Sequence, residues 1–233
     1  MGECFFVLKI NVQDEGRIHL RMKELNYPFD AEYIIKKKKS LKRQLLADVN
    51  RNFVEKRIAI LGGETTENIK LTLELFLLNY GIKPYFYESE YNQYYEDGMF
   101  PNPELEEFNP DIIYICTCVR NIIDFPVLSD QKEVVEQKKQ AVVDKFYGLW
   151  DSVAERYHCP IIQNNFEYPF FRLMGNKDAS DYHGRVNFVT MLNCAFYEYA
   201  QKHDNFYICD VNYISASYGL DKWSEPYYWH MYK

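Results

Sequence analysis

A glycine-rich turn, Gly62-Gly63-Glu64-Thr65-Thr66, is the segment of this sequence whose residue types best suit ligand binding. It follows an apolar run directly and leads into a stretch with helical periodicity. Glycines permit a tight bend, and the backbone N–H groups at a helix start can face a bound group. The turn lacks the Lys-Ser/Thr of a P-loop and the third glycine of a dinucleotide loop, and no cofactor is predicted. The alternative interpretation is an ordinary strand-to-helix turn capped by Thr65 or Thr66.

Polar residues also follow three later apolar runs. These residues are Thr117, Arg120 and Asn121, then Gln163, Asn164, Asn165 and Glu167, and finally Asp210 and Asn212. In an open parallel sheet, ligands bind outside the carboxyl ends of the strands. We therefore expect a common cleft at this edge, lined by Gly62, Glu64, Thr65, Asn121, Gln163, Asn165 and His230.

The close cysteine pair Cys116-Thr117-Cys118 is a second motif with metal-binding residue types. A structural zinc site needs a second pair of ligands, which this motif does not supply. Free cysteines are commonly buried as small apolar residues. The sequence therefore predicts two small residues at a strand end and no metal.

The elements that must position these residues follow from hydrophobic periodicity. Short apolar runs predict five strands, at 57–61, 83–88, 111–116, 159–163 and 205–209. Helical spacing predicts intervening helices at 66–79, 131–157 and 186–202. This alternation predicts a three-layer α/β/α sandwich with a five-stranded parallel sheet in the order 2-1-3-4-5.

Two segments lie outside this alternation. Residues 89–110 form a long acidic, Tyr-rich connection, which we interpret either as a lid or as a surface excursion with a short helical turn. Before the first strand, residues 29–50 predict a helix capped by Asp30. Its basic residues indicate a solvated helix face or a surface for an acidic partner. With a strand over 5–12, residues 1–56 form a predicted N-terminal extension to an α/β domain over 57–233.

Composition excludes several classes of protein. The 233 residues carry a formal net charge of -7, which disfavours general affinity for nucleic acid. Apolar residues make up 47% of the chain, enough for a sizeable core. The sequence contains no apolar run of the roughly 20 residues a membrane span requires, and its first residues do not resemble a secretion signal. The six cysteines lie mostly in apolar runs, which predicts a reduced, cytoplasmic protein.

Four segments resemble the amino-terminal domain of FkbH-like proteins: RIAILGGETT (57–66), FNPDIIYI (108–115), IQNNFEYP (162–169) and DKWSEPYYWHM (221–231). The resemblance extends over roughly residues 30–233. It implies a flavodoxin-like or SGNH-hydrolase-like domain, which full-length members join to a haloacid-dehalogenase-type phosphatase domain. Such proteins load glyceryl units from a phosphorylated precursor onto an acyl carrier protein. The implied partners are an acyl carrier protein or an acyl-type small molecule, and a C-terminal phosphatase-like domain absent from this chain.

The sequence departs from these families at informative positions. The phosphatase motif Asp-x-Asp-x-Thr is missing, so phosphoryl chemistry is not assigned to this chain. Against the SGNH pattern, Glu64 takes the place of the nucleophilic serine, and the hydroxyls of Thr65 and Thr66 are displaced from it. Asn121 is the nearest amide to the Gly-x-Asn block. Where SGNH enzymes carry Asp-x-x-His, the chain has Glu225, and His230 comes two positions late.

Three functional interpretations remain open. The first is a docking domain with a polar pocket that binds an acyl carrier protein or its acyl group. The second is an acyltransferase or hydrolase in which Glu64 or His230 acts as base, with Thr65 as the available hydroxyl. The third is a non-catalytic interaction module that uses the basic helix. A fold alone does not choose among them.

Overall fold

A parallel five-stranded sheet forms the centre of the protein in the computed structural model, which describes residues 21–49 and 51–225. The strands are β1 Val54–Gly62, β2 Ile82–Glu88, β3 Ile112–Cys116, β4 Ile161–Asn164 and β5 Phe206–Cys209. They pair in parallel in the order β2-β1-β3-β4-β5, which confirms the predicted topology. The strand predicted over 5–12 lies outside the described residues.

Eight α-helices occur in the described part of the chain. They are α1 Ala31–Ala47, α2 Glu67–Asn79, α3 Tyr94–Met99, α4 Pro103–Phe108, α5 Lys132–Tyr157, α6 Arg185–Lys202, α7 Val211–Tyr218 and α8 Leu220–Trp223. Short 3₁₀ turns lie at Lys23–Leu25, Val119–Asn121 and Gly175–Ala179. None of the helices described is both long and apolar enough to cross a membrane.

Both faces of the sheet are buried, as a parallel sheet requires. Successive side chains of β1 point to opposite faces, so Ala59 and Leu61 pack into one core and Ile58 and Ile60 into another. The first core contains residues of α5 and α6, and the second is extended by Leu77 of α2. The predicted three-layer α/β/α arrangement is therefore confirmed.

An aromatic cluster fills the core beneath α5 and α6. Trp150 is fully buried and lies 4.7 Å from Phe196 and 4.5 Å from Phe206, between ring centroids. Its indole N–H donates to the Gln163 side-chain oxygen at 2.9 Å, which pairs a polar atom that burial would otherwise leave unsatisfied. This bond ties α5 to the end of β4.

Helix α1 packs against α2 through its apolar face. Leu41 and Leu45 lie in one cluster with Leu75 and Phe76 of α2. The Asp30 carboxylate accepts a hydrogen bond from the Tyr33 backbone N–H at 3.0 Å, which confirms the predicted cap. The basic residues of α1 lie on its outer surface, where Lys36, Lys37, Lys39 and Arg43 are exposed.

The long connection between β2 and β3 contains the two short helices α3 and α4. Gly98 of α3 approaches α5 so closely that a Cβ atom there would lie 2.3 Å from Leu149 Cδ1. The Asp97 carboxylate accepts hydrogen bonds from Ser89 at 2.6 Å and from Asn102 at 2.8 Å. The middle of the segment is thus packed on α5, and the Asp97 bonds link its start to its middle.

Candidate functional site

The turn after β1 and the loop after β3 meet at the carboxyl edge of the sheet. The Gly63 backbone N–H donates to the Cys116 carbonyl at 2.9 Å, so the turn continues the β1–β3 pairing. A Cβ atom on Gly63 would lie 2.6 Å from the Asn121 side-chain amide, and one on Gly62 would lie 2.9 Å from the Glu64 carbonyl oxygen. Because the neighbouring atoms lie this close, a side chain at either position would clash, and both positions favour glycine.

Asn121 binds the neighbouring loops together. Its side-chain oxygen accepts from the Cys118 backbone N–H at 2.9 Å, and its amide nitrogen donates to the Gly63 carbonyl at 2.9 Å. The same nitrogen donates to the Asn92 side chain at 3.2 Å. Of the predicted site residues, Asn121 thus lies directly beside the glycine turn, where its bonds serve to position the turn.

Two carboxyl groups, Glu64 and Glu167, are withdrawn from solvent at this edge. Burial raises the pKa of Glu64, against hydrogen bonds from Cys118 and Cys116 and the positive charge of Arg120, which lower it. Cys116 Sγ lies 3.8 Å from Glu64 Oε1. Glu64 is half-buried and Arg120 is exposed, so this carboxyl lies close to the surface with a cation near it.

Glu167 is more deeply buried, with 3% of its surface exposed. Burial raises its pKa to about 7, although backbone hydrogen bonds from its own N–H and from Val119 oppose the rise. The Val119 N–H lies 3.2 Å from Glu167 Oε2. The negative charge of Glu64 raises the pKa of Glu167 further. Two interacting carboxyls with raised pKa values are suited to proton transfer near neutral pH.

The two thiols beside these carboxyls are poor nucleophiles. Cys116 and Cys118 are buried, and burial raises the pKa of each thiol well above its ordinary value. The nearby negative charge of Glu64 adds to both shifts. Because the thiolate is the reactive form, neutral thiols in this setting are inert. Among the described residues, no group of three or more His, Cys, Asp or Glu side chains is arranged to hold a metal ion.

The two threonines of the turn have different surroundings. Thr65 is exposed next to Glu64 in the chain. Thr66 is buried, and its hydroxyl donates to the Glu88 carboxylate, which also pairs with Lys70. Thr66 is the N-cap residue of α2, but its side chain makes no capping hydrogen bond. Thr65 is therefore the hydroxyl of the turn that solvent or a ligand can reach.

The predicted residues at the end of β4 and directly after it are enclosed by protein. Gln163 is fully buried and donates to the Thr117 hydroxyl at 2.8 Å, in addition to its bond from Trp150. Asn165 is also fully buried, and its amide nitrogen donates to Tyr197 and Asp210, each at 2.7 Å. These amides hold β4 and its loop in place. A role in ligand contact remains a prediction for both residues.

The predicted C-terminal site residues lie at or beyond the end of the described chain. Glu225 is exposed and lies two residues after the end of α8. His230 is outside the described residues. Its predicted role as a base stays a prediction.

Glu167 is the principal addition to the predicted site. The sequence places it three positions after β4, among the polar residues of the edge, but composition gave no reason to prefer it over Gln163 or Asn165. The distinguishing property is burial beside a second carboxyl, which depends on packing between three loops.

Comparison with known proteins identifies the family of this chain and a solved structure with a similar fold. Residues 57–231 match the family model described as FkbH, N-terminal domain, and the chain belongs to that family. A search of curated proteins found no match.

A solved structure has a similar fold. It is the N-terminal part of the protein BF1531 from Bacteroides fragilis, which contains a phosphatase domain complexed with Mg. The TM-score is 0.65 at 22% sequence identity, with 78% of this chain covered. The match spans 47% of the chain of that structure, so this chain corresponds to about half of it.

Proposed function

We propose that this domain belongs to an FkbH-like biosynthetic protein and docks an acyl carrier protein at the carboxyl edge of its sheet, beside Glu64 and Glu167. The acyl or glyceryl group on the carrier would then lie against the glycine turn. Family membership supports the biosynthetic setting. Exposed apolar side chains at the carboxyl edge support the proposed location of docking.

The observation that carries this proposal is a set of exposed apolar side chains in the loops that follow β3 and β4. We call this set the apolar rim, and it consists of Ile123 (93% exposed), Leu128 (59%), Phe170 (47%) and Phe171 (69%). Scattered exposed apolar residues are normal on a protein surface. Here they are concentrated in two loops at one edge, and such concentrations mark interaction sites.

The two loops that carry the rim contact each other and pack on the same helix, α6. His183, in the segment after β4, contacts the backbone carbonyl oxygen of Asp130, in the segment after β3, at 2.9 Å. Phe125 of the first segment packs on Phe188 of α6 at 5.7 Å between ring centroids. Asp178 of the second segment accepts from the Val186 N–H of the same helix at 2.7 Å.

Exposed cations accompany the apolar rim and could contact acidic groups of a partner, although the Asp124 carboxylate is exposed in the same loop. Arg120 and Arg172 are exposed in these two loops, although the chain as a whole carries a net charge of -7. Complementary charge steers association and fixes orientation. A partner with acidic and apolar groups side by side, such as an acyl carrier protein, would complement both properties of the rim.

Docking is tested by titrating the purified protein with a holo acyl carrier protein and with its acyl form by calorimetry. We expect Ile123→Ser to weaken binding about tenfold, because removing one buried aliphatic side chain from an interface costs ~1–2 kcal/mol. Val49→Ser is the matched control, since Val49 is also 93% exposed but lies between α1 and β1, outside the rim. Equal affinities for both variants, or no binding by the unchanged protein, would contradict the proposal.

Phosphoryl chemistry is not proposed for this chain. The motif Asp-x-Asp-x-Thr of haloacid-dehalogenase-type phosphatases is absent from its sequence. We propose instead that a phosphatase-like domain acts beside it, as the resemblance to full-length FkbH-like proteins implies. A cytoplasmic location is likewise a prediction from the cysteine usage.

A second candidate function is that of an acyltransferase or hydrolase with a non-standard SGNH-type site. The observation that favours it is that Glu64 and the exposed Thr65 are adjacent in the turn after β1. The raised pKa of Glu64 makes this carboxylate a stronger base than an ordinary glutamate. The third interpretation, an interaction module using α1, is supported by the exposure of its lysines.

A further inference from the structure

The imidazole of His183 lies between two hydrogen-bond acceptors. Its Nδ1 is 2.8 Å from Asp181 Oδ1, and its Nε2 is 2.9 Å from the backbone oxygen of Asp130. A neutral imidazole has a single N–H and can donate to one acceptor alone. Both contacts are favourable together when the ring is protonated, unless Asp181 carries the proton instead.

Asp181 is held in its ionised form. Its Oδ1 also accepts from the His183 backbone N–H at 3.0 Å, and its Oδ2 pairs with Lys177 at 3.1 Å. These contacts, the backbone hydrogen bond first, lower the pKa of Asp181 to about 2. The proton therefore resides on the ring, and His183 is an imidazolium that donates from both nitrogens.

Other groups around the ring add to this preference. From the loop after β3, Asp130 contributes its carbonyl oxygen and a carboxylate, which is itself paired with Lys138 of α5 at 3.0 Å. The hydrogen bond to the Asp130 carbonyl is the main cause that raises the pKa of His183. Burial opposes the rise, whereas the Asp181 hydrogen bond and the charges of Asp181 and Asp130 add to it. Lys177 and Lys138 are each paired with a carboxylate, and the Arg185 guanidinium at the start of α6 lies 5.3 Å from the centroid of the Phe125 ring. The Tyr182 ring lies 3.9 Å from the imidazole, between centroids.

We propose that His183 is a protonation-dependent clasp that holds the loop after β3 against the segment after β4, so that the arrangement of the apolar rim responds to pH near neutrality. Loss of the proton removes one of the two hydrogen bonds. The ring can then keep either Asp181 or Asp130, and the link between the two loops is weakened. This inference concerns the conformation of the rim and stands whether or not a carrier protein binds there.

The clasp is tested first by following the ring nitrogens of all histidines with ¹⁵N NMR across pH 5 to 9. We expect the titration midpoint of His183 to lie above the ordinary value of about 6.5 and to fall in Asp181→Asn. His183→Gln assigns the resonance. His158→Asn is the matched control, because His158 is exposed and has a left-handed backbone conformation that Asn tolerates. A midpoint at or below about 6.5, or one unchanged in Asp181→Asn, would overturn the proposal.

A second measurement follows the loops directly. Because the folded pKa is raised, the contribution of His183 is complete below the unfolded value of about 6.5 and is lost as pH rises through the folded value. Amide hydrogen exchange of residues 122–130, corrected for the intrinsic pH dependence, should accelerate across that range in the unchanged protein and in His158→Asn. In His183→Gln the corrected exchange should be fast throughout. Corrected exchange that does not change with pH in the unchanged protein would overturn the clasp.

Discussion

At the scale of single residues, the deep burial of Glu167 has a thermodynamic consequence. Its pKa is raised from an ordinary value near 4.5 to about 7, chiefly by burial. The folded state therefore retains a proton between these pH values that the unfolded state has lost. The contribution of Glu167 to the free energy of unfolding is therefore largest below about pH 4.5 and decreases as the pH rises to about 7.

We predict that Glu167→Gln removes this pH dependence. A neutral amide has no charge to desolvate, and its oxygen can still accept from the Val119 N–H. Relative to the unchanged protein, the variant should gain roughly 2–4 kcal/mol in free energy of unfolding at pH 8, and little at pH 4.5. Urea unfolding at both pH values measures it. Glu155→Gln, at an exposed position of α5, is the control, and a gain independent of pH would show that burial of charge is not the cause.

Thr65 decides between the docking and the hydrolase interpretations. Ester hydrolysis requires a nucleophile, a base and an oxyanion hole together, and the position where the resemblance to SGNH hydrolases predicts a serine holds Glu64. The neighbouring thiols are buried and protonated. We predict negligible turnover of a short-chain p-nitrophenyl ester by the unchanged protein and by Thr65→Ala. Robust activity that Thr65→Ala abolishes and Thr72→Ala retains would make Thr65 the nucleophile and would refute docking as the main role.

At the scale of elements, the site depends on contact between the turn after β1 and the 3₁₀ turn Val119–Asn121. Gly63 and Asn121 approach so closely that no side chain fits between them. We predict that Gly63→Ala lowers the free energy of unfolding by about 1–3 kcal/mol, because the added methyl group forces the two turns apart.

The control for this variant is Gly148→Ala in α5. A Cβ atom there would meet its nearest neighbour, Met99 Cε, at 4.0 Å, so the change should be neutral or stabilising by up to ~1 kcal/mol. In an Asn121→Ala background, Gly63→Ala should cost less than in the unchanged protein. If the losses in free energy of unfolding are additive in this double-mutant cycle, a clash between the added methyl group and the Asn121 side chain is not the cause.

The elements themselves were largely predictable. The predicted strand 57–61 lies within β1, and the predicted helices 131–157 and 186–202 match α5 and α6 to within a residue. Their apolar residues recur at the periods of a buried strand and of an amphipathic helix. β1 begins earlier than predicted, at Val54, because β2 pairs with its exposed and charged start.

At the scale of the whole molecule, the basic helix α1 is packed on the α/β domain. Its apolar residues share a core with α2, and Lys42 pairs with Glu74 of α2 at 2.7 Å. The exposed lysines of α1 face outward, while the apolar rim lies at the carboxyl edge. Substitutions in α1 should therefore weaken binding of an acidic partner through that helix, whereas substitutions in the apolar rim should weaken docking there.

The amino-acid sequence by itself determined the sheet and its strand order, because short apolar runs that alternate with amphipathic helices pack in few ways. It also predicts a binding site at the carboxyl edge of the sheet. The tertiary structure alone decided which polar residues of that edge are distinctive. Gln163, Asn165 and Glu167 are equally polar in sequence, but the amides are satisfied by Trp150, Tyr197 and Asp210, whereas Glu167 is buried near a second carboxyl. Desolvation and charge coupling arise from contacts between distant segments, and the local sequence does not encode them.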